Sequence, residues 1–158
     1  MTIATQVSPS GRRSVLLNTF LGSFVAAMNI SMLIIALPAI FDGIKVYPLS
    51  PLGFTSMIWL IVSYPLALAV AIPISGRLSD MYGRGRQFTV GFLGFSFRAL
   101  LLGLAQGSGE AAAAELVAFR IMQGVGGSFM FSNSPALIMD VYPPRDRGFA
   151  LGVIGISF

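Results

Sequence analysis

Four apolar runs, near residues 15–40, 55–76, 87–106 and 112–138, alternate along this chain with short polar stretches. Each run is long enough to cross about 30 Å of hydrocarbon at about 1.5 Å per residue. The runs are continuous. They do not alternate in steps of two over about ten residues, as the strands of a membrane barrel do. Because a lipid-embedded backbone must satisfy its own hydrogen bonds, the pattern predicts helices. A further run near 148–158 has room for a few turns only, and predicts the start of a fifth helix. The expected fold class is an all-α membrane bundle with four complete transmembrane helices plus the start of a fifth. It occupies a domain over residues 14–158, behind a polar tail at 1–13. A run of about ten residues cannot span a bilayer as a helix, so the chain is expected to stop inside an element, with further helices of the same protein to follow.

The connections carry the orientation. Gly43, Pro48, Pro51 and Gly53 mark the first loop, and the second runs from Gly76 to Arg86. The third is Gly107-Ser108-Gly109-Glu110, and the fourth runs from Asp140 to Arg147. Arg12, Arg13, Arg77, Arg84, Arg86, Arg145 and Arg147 fall at one set of ends; only Lys45, with Asp42 and Glu110, falls at the other. Cytoplasmic loops collect Lys and Arg. The N-terminus and the 2–3 and 4–5 connections are therefore expected on the cytoplasmic side of a multi-pass cell-membrane protein. Pro38, Pro65, Pro73 and Pro135 fall within or at the ends of spans. They fit kinked helices that move or line a cavity, and equally the ordinary frequency of proline in membrane helices.

Composition narrows the chemistry. Charged residues make up 10% of the chain, against about 25% in soluble domains, and the mean hydropathy is +0.82. There is no cysteine and no histidine. Disulfides, Cys or His metal sites, histidine proton relays and Ser-His pairs are all excluded within this chain, and neither a cofactor nor a metal is expected. The net charge of +4 does not point to nucleic acid, because the basic residues lie in short connections rather than on one soluble face. Arg12 and Arg13 precede an apolar run that is too long for the core of a cleaved signal peptide.

Two places concentrate polar residues against this background. In the Gly76–Arg86 stretch, Gly76 and Gly83 permit a tight turn, and Asp80 is expected near a helix N-terminus, a favourable place for an anion. Arg84 and Arg86 can pair with Asp80, with Asp140 at the end of the fourth span, or with lipid phosphates. In the fourth span, Arg120 and Gln123 share a helix face, as do Gly124 and Gly127, whose small size lets a neighbouring backbone approach. Arg98 and Arg120 lie at a shared depth, roughly 12 Å from the outer turn at about 1.5 Å per residue. No Asp or Glu lies inside a span; Glu115 is near the outer end of the fourth. A charge at mid-membrane costs at least about 2.5–3.5 kcal/mol and marks a functional site. Three solutions remain open for these arginines: water in a cavity, a carboxylate from another part of the protein, or an anionic group of a substrate.

The Gly76-Arg77-Leu78-Ser79-Asp80-Met81-Tyr82-Gly83-Arg84 stretch resembles the helix-2/3 loop of the major facilitator superfamily, G-x-L-[SA]-D-R-x-G-R-[RK]. Met81 replaces the arginine after the Asp, and Gly85 stands where a base is expected, with Arg86 one step later. Arg120-x-x-Gln123-Gly124-x-Gly126-Gly127 resembles the family's helix-4 pattern R-x-x-Q-G-x-G-[AG]. The segment from Met28 to Pro38 resembles that of the fourteen-helix drug:proton antiporter branch, with Ala36-Leu37-Pro38 intact, Ser31 conservative and Asn29 in place of an Asp. Trp59, Ser63 and Tyr64, and the Pro143-x-Arg145-x-Arg147-Gly148 segment, are similar to that branch as well. The resemblance implies the N-terminal part of a transporter built of two six-helix halves that rock about a midplane site. It implies that Gly76, Asp80, Gly83, Arg84, Arg86 and Asp140 form a cytoplasmic latch, and that helices 1 and 4 line the cavity. Arg120, Gln123, Asn29 and Ser31 are then expected as a polar patch on the cavity wall, Gly124, Gly126 and Gly127 as packing positions, and Arg98 as peripheral.

The expected function is secondary active efflux of small organic molecules, drugs or metabolites, coupled to an ion gradient. The expected partners are the lipid bilayer, a small-molecule substrate, protons, and the remaining helices of the same transporter, with no nucleic acid. Asn29, which cannot titrate, favours a metabolite symporter or uniporter as the alternative; a non-transporting helix module is another. An intramembrane enzyme has no acid, base or metal ligand to work with, so none is expected.

Overall fold

The same dipeptide starts the first two helices. Ser8-Pro9 opens α1 (Pro9–Gly43), and the Ser8 hydroxyl accepts from the Gly11 N–H at 3.2 Å. Ser50-Pro51 opens α2 (Pro51–Tyr82), and Ser50 accepts from the Gly53 N–H at 3.0 Å. In each, serine satisfies an orphan donor while proline presets the first helical φ and lacks an N–H that would go unpaired. The computed structural model describes residues 8–104 and 108–157. Its remaining elements are α3 (Arg84–Leu104), α4 (Gly109–Val141) and α5 (Pro144–Gly155), with no strand among the described residues.

The described helix ends outrun the apolar runs that signalled them, except at the tails of the third and fifth. α1 starts inside the expected polar tail 1–13, because the Ser8-Pro9 cap and not the onset of apolarity sets its beginning. The last residues of the expected third span, 105 and 106, lie outside the described residues, as does Phe158. The largest revision falls on the stretch 76–86, which is not one turn. α2 runs on to Tyr82, Gly83 alone reverses the chain at φ +95°, and α3 begins at Arg84. Asp80 therefore lies in the last turn of α2, at the carbonyl end of the helix dipole and not near a helix N-terminus. Gly76 is an ordinary helical residue with nothing within 4 Å of where a Cβ would stand.

α4 is the centre of the bundle and packs most extensively on α2 and α3, then on α1. Its glycines divide between neighbours. A Cβ on Gly124 would stand 2.6 Å from the Tyr64 carbonyl oxygen of α2, and one on Gly127 would meet the Tyr64 hydroxyl at 3.1 Å. A Cβ on Gly126 would lie 3.1 Å from the Phe95 nitrogen of α3, and across that seam a Cβ on Gly91 would lie 2.5 Å from the Phe129 Cβ. Backbones this close gain dispersion contacts, the main attraction left between helices in lipid. Side-chain hydrogen bonds reinforce the seams. Asn133 Nδ2 donates to Ser79 Oγ at 2.7 Å, and Ser23 Oγ to Ser134 Oγ at 3.2 Å.

The two helices with the most apolar stretches are largely uncovered. α1 and α2 each contain a stretch of mean hydropathy 2.2 that suits a membrane span, yet only 22% and 17% of those stretches is buried. A helix in a soluble core would be mostly buried; these present Ile35, Val70, Leu17 and Ile74 outward, as a lipid-facing surface does. Of the expected spans, α1 and α2 alone meet that test of length and apolarity among the described residues. α4 is long enough but interrupts its apolar sequence with Arg120, Gln123, Asn133 and three serines, all turned inward or half-buried. The bundle ends sort as expected: Gly109 N–H donates to the Ile44 carbonyl at 2.7 Å at one end, and the Tyr142 hydroxyl to the Arg12 carbonyl at 3.2 Å at the other.

Candidate functional site

Arg120 is the largest fully buried side chain in the described structure, at 2% exposure. Its Nη1 donates to Asn29 Oδ1 of α1 and, at 2.9 Å, to Gln123 Oε1 one turn along α4. Its guanidinium carbon sits over the Tyr64 ring of α2, 5.6 Å from the centroid. Three helices thus converge on one cation through neutral groups: two amide oxygens and a ring face, the last a weak electrostatic attraction that strengthens away from water. Arg120 Nε and Gln123 Nε2 are buried and have no acceptor. Tyr64 also packs against Phe95 of α3, the rings 6.3 Å apart between centroids and 73° from parallel. Arg98 does not join this group. Its guanidinium lies against the Met122 sulfur at the bundle surface.

The second site is the junction of α2, α3 and α4. Arg84 Nη2 and Nε reach Asp80 Oδ1 at 2.8 and 3.0 Å, and Nη1 reaches both Asp140 oxygens at 2.9 and 3.1 Å. Asp80 and Asp140 each sit at a helix C-terminus, where exposed carbonyls disfavour an anion. Placing Arg84 between them neutralises both ends with one guanidinium. The hydrogen bonds to Asp80 raise Arg84 above its usual pKa, with desolvation opposing and the Asp140 charge adding to the rise. Arg147 serves α4 in the same sense, donating to the Tyr142 and Met139 carbonyls at 3.0 and 2.8 Å.

Of the residues singled out in the sequence, the structure joins Asn29, Arg120 and Gln123 in one group and Asp80, Arg84 and Asp140 in another, with Gly83 making the reversal between α2 and α3. It does not join Ser31, which is exposed and makes no bond to the Arg120 group, nor Arg86, which is exposed and forms no ion pair among the described residues. Sequence reasoning gave Tyr64, Asn133 and Gly91 no role at the site or in packing. Asn133 carried a readable signal, being an amide well inside a span, where polar side chains bond across helices. Tyr64 entered only as part of the family resemblance, which did not point to a contact with Arg120, and Gly91 carried no signal that distinguishes it from other small residues of its span. Among the described residues no group of Asp and Glu is placed to hold a metal.

Comparison with known proteins identifies the family. The Major Facilitator Superfamily profile matches residues 19–158. The chain is 32% identical to multidrug resistance protein 3 of Bacillus subtilis over 98% of its own length and 28% of that protein. It is 31% identical to the tetracenomycin C resistance and export protein of Streptomyces glaucescens, over 87% of this chain and 24% of that one. Against the riboflavin transporter RibZ of Clostridioides difficile the identity is 26%, over 89% and 28%. The chain thus spans about a quarter of the length of these relatives. No solved structure matches it. With residues 19–158 covered by the profile and the paired glycines, arginines and carboxylates in place, the chain belongs to the Major Facilitator Superfamily.

Proposed function

We propose that this chain is part of a secondary transporter that exports small organic molecules across the cell membrane, driven by an ion gradient. The N-terminus and the Arg84 junction face the cytoplasm. The observation that carries the reading is the buried Arg120, held by α1, α2 and α4 at once. A cation so placed is costly in a merely structural bundle, and it lies where three helices respond to any change in its surroundings. Multidrug and antibiotic exporters among the relatives support the export direction. Gly83, Arg84, Asp80 and Asp140 act as the cytoplasmic latch. They pin the ends of three helices by ion pairs that water can replace. Gly76 and Arg86 belong to the same stretch, but Arg86 forms no ion pair among the described residues and Gly76 leaves open space where a Cβ would stand.

Asn29 favours a second reading of the energetics. It accepts from Arg120 as an amide and does not titrate. A coupling proton is carried at another position, or the carrier is a symporter or uniporter for a metabolite. Replacing Arg120 with Ala in the full-length protein is expected to lower export about 100-fold or more, as for a group acting in the transport step. Membrane insertion and monodisperse extraction remain intact. Unchanged export by a properly inserted Arg120→Ala protein removes this residue from the mechanism.

A further inference from the structure

The Arg120 group is out of electrostatic balance, and the chain does not supply the missing charge. All six Asp and Glu residues lie in or near helix ends: Asp42, Asp80, Glu110, Glu115, Asp140 and Asp146. Glu115, the one nearest Arg120 in sequence, is exposed, and the ion pairs among the described residues involve Arg84 alone. Arg120 is left with the oxygens of two neutral amides and a ring face.

Two donors are also left over. Arg120 Nε and Gln123 Nε2 flank the same 2.9 Å bond, and both are buried without an acceptor. Leaving buried donors unmet costs about 1–3 kcal/mol each. A water molecule would satisfy the donors but not the charge. A cationic ligand would worsen the charge and offer no acceptor. A carboxylate meets both needs, because its two oxygens accept from two N–H groups and its charge is opposite.

The approach to the group is restricted. On the α2 side, Gly124 and Gly127 press against Tyr64, and a single methyl would already collide there. On the α1 side, Asn29 is only half-buried, and Met28 and Met32 beside it are 42% and 59% exposed. Methionine packs against varied apolar shapes. An incoming molecule on this side would place an apolar body against the methionines and displace the Asn29 oxygen from Arg120.

We propose that Arg120 and Gln123 are the receptor for a carboxylate on the transported molecule, so that the substrates are organic anions entering past Asn29. This rests on the carrier reading given above and adds the substrate class.

The test uses the purified full-length protein, with benzoate, its neutral isostere benzamide and the cation benzylammonium compared at constant ionic strength. Benzoate is expected to raise the thermal unfolding temperature by a few degrees, saturably, and the other two to leave it unchanged. Arg120→Lys, which keeps the charge but not the fork, should weaken benzoate at least tenfold, and Arg120→Gln should abolish its effect. An equal shift from benzamide, an equal shift from chloride alone, or no shift from benzoate overturns the proposal; the last would mean that a carboxylate elsewhere in the protein already fills the place. Ethidium counterflow in proteoliposomes separates the two claims. Ethidium transport without benzoate stabilisation leaves the carrier standing and the anion receptor refuted, while no movement of ethidium or benzoate refutes the carrier itself.

Discussion

Arg84 and Arg120 are the same side chain in opposite surroundings. Arg84 is one-third exposed and touches two carboxylates. Arg120 is buried and touches none. The exposed arginine is fully paired and the buried one is not, the reverse of what stability alone would select. An exposed pair contributes little, since water screens it and competes for it, which suits a contact that must form and break. A buried cation without an opposite charge is held in place only because packing from three helices overdetermines its position. The difference teaches that the fold of this bundle does not rest on its charges. It rests on the close backbone contacts of α4, which is why the two arginines can be assigned, in the reading proposed above, to conformational change and recognition.

That comparison can be broken most severely from the packing side. Gly124→Leu places a side chain where even a Cβ meets the Tyr64 carbonyl oxygen at 2.6 Å and the Ala67 Cβ at 2.8 Å. It should cost about 3 kcal/mol, the upper end of overpacking penalties, and lift Tyr64 from Arg120. Thermal unfolding of the detergent-solubilised protein would show it, and an unaltered midpoint would mean that α2 and α4 are not so closely apposed. A smaller effect is expected at the reversal. Gly83→Ala forces a Cβ residue to φ +95°, with open space around it. About 1–2 kcal/mol should be lost through backbone strain alone. The same change at Gly76, helical and equally unobstructed, should be neutral or stabilising by about 0.5–1 kcal/mol, so the pair of midpoints separates conformation from crowding.

The smallest effect is expected at the latch itself. Arg84→Ala should lower stability by less than about 1 kcal/mol, and that loss should shrink in high salt. A double-mutant cycle with Asp140→Asn measures the pair directly, and Arg86→Ala, which breaks no contact seen here, should match wild type. Transport should nevertheless respond to Arg84→Ala, because a weak contact is enough to bias two conformations of similar energy. A loss of several kcal/mol on removing Arg84 would show the junction to be a structural clamp and not a latch.

How far the sequence was legible varied with the range of the force involved. The helices and their sorting into an arginine-rich end and an arginine-poor end could be read from runs and charges. The Ser-Pro starts at 8–9 and 50–51 were missed: following apolarity and not the caps makes 1–13 a tail and Pro51 and Gly53 loop residues, whereas the caps begin α1 at Pro9 and α2 at Pro51. The position of Asp80 could not be read, since it depended on whether α2 stopped at Gly76 or at Gly83; both are glycines, and only the packing of α2 along α4 keeps the helix intact through the first. The Arg120 group was half legible. Its members on α4 follow from helical spacing, and Asn29 from resemblance, but Ser31 was placed with them although it turns outward two residues further along α1.

What the sequence by itself determined is that this chain makes helices, roughly where they run, and which of their ends share a side. Those outcomes follow from local demands: backbone groups in lipid must bond within their own segment, and charges avoid its interior. Only the tertiary structure decided that Tyr64 lies against Arg120, that Asp140 rather than lipid meets Arg84, and that Gly124 and Gly126 serve different neighbours. Each of these depends on the rotation and register of one helix against another. That choice is set by the summed close contacts of many residues at once, and no single stretch of sequence contains it.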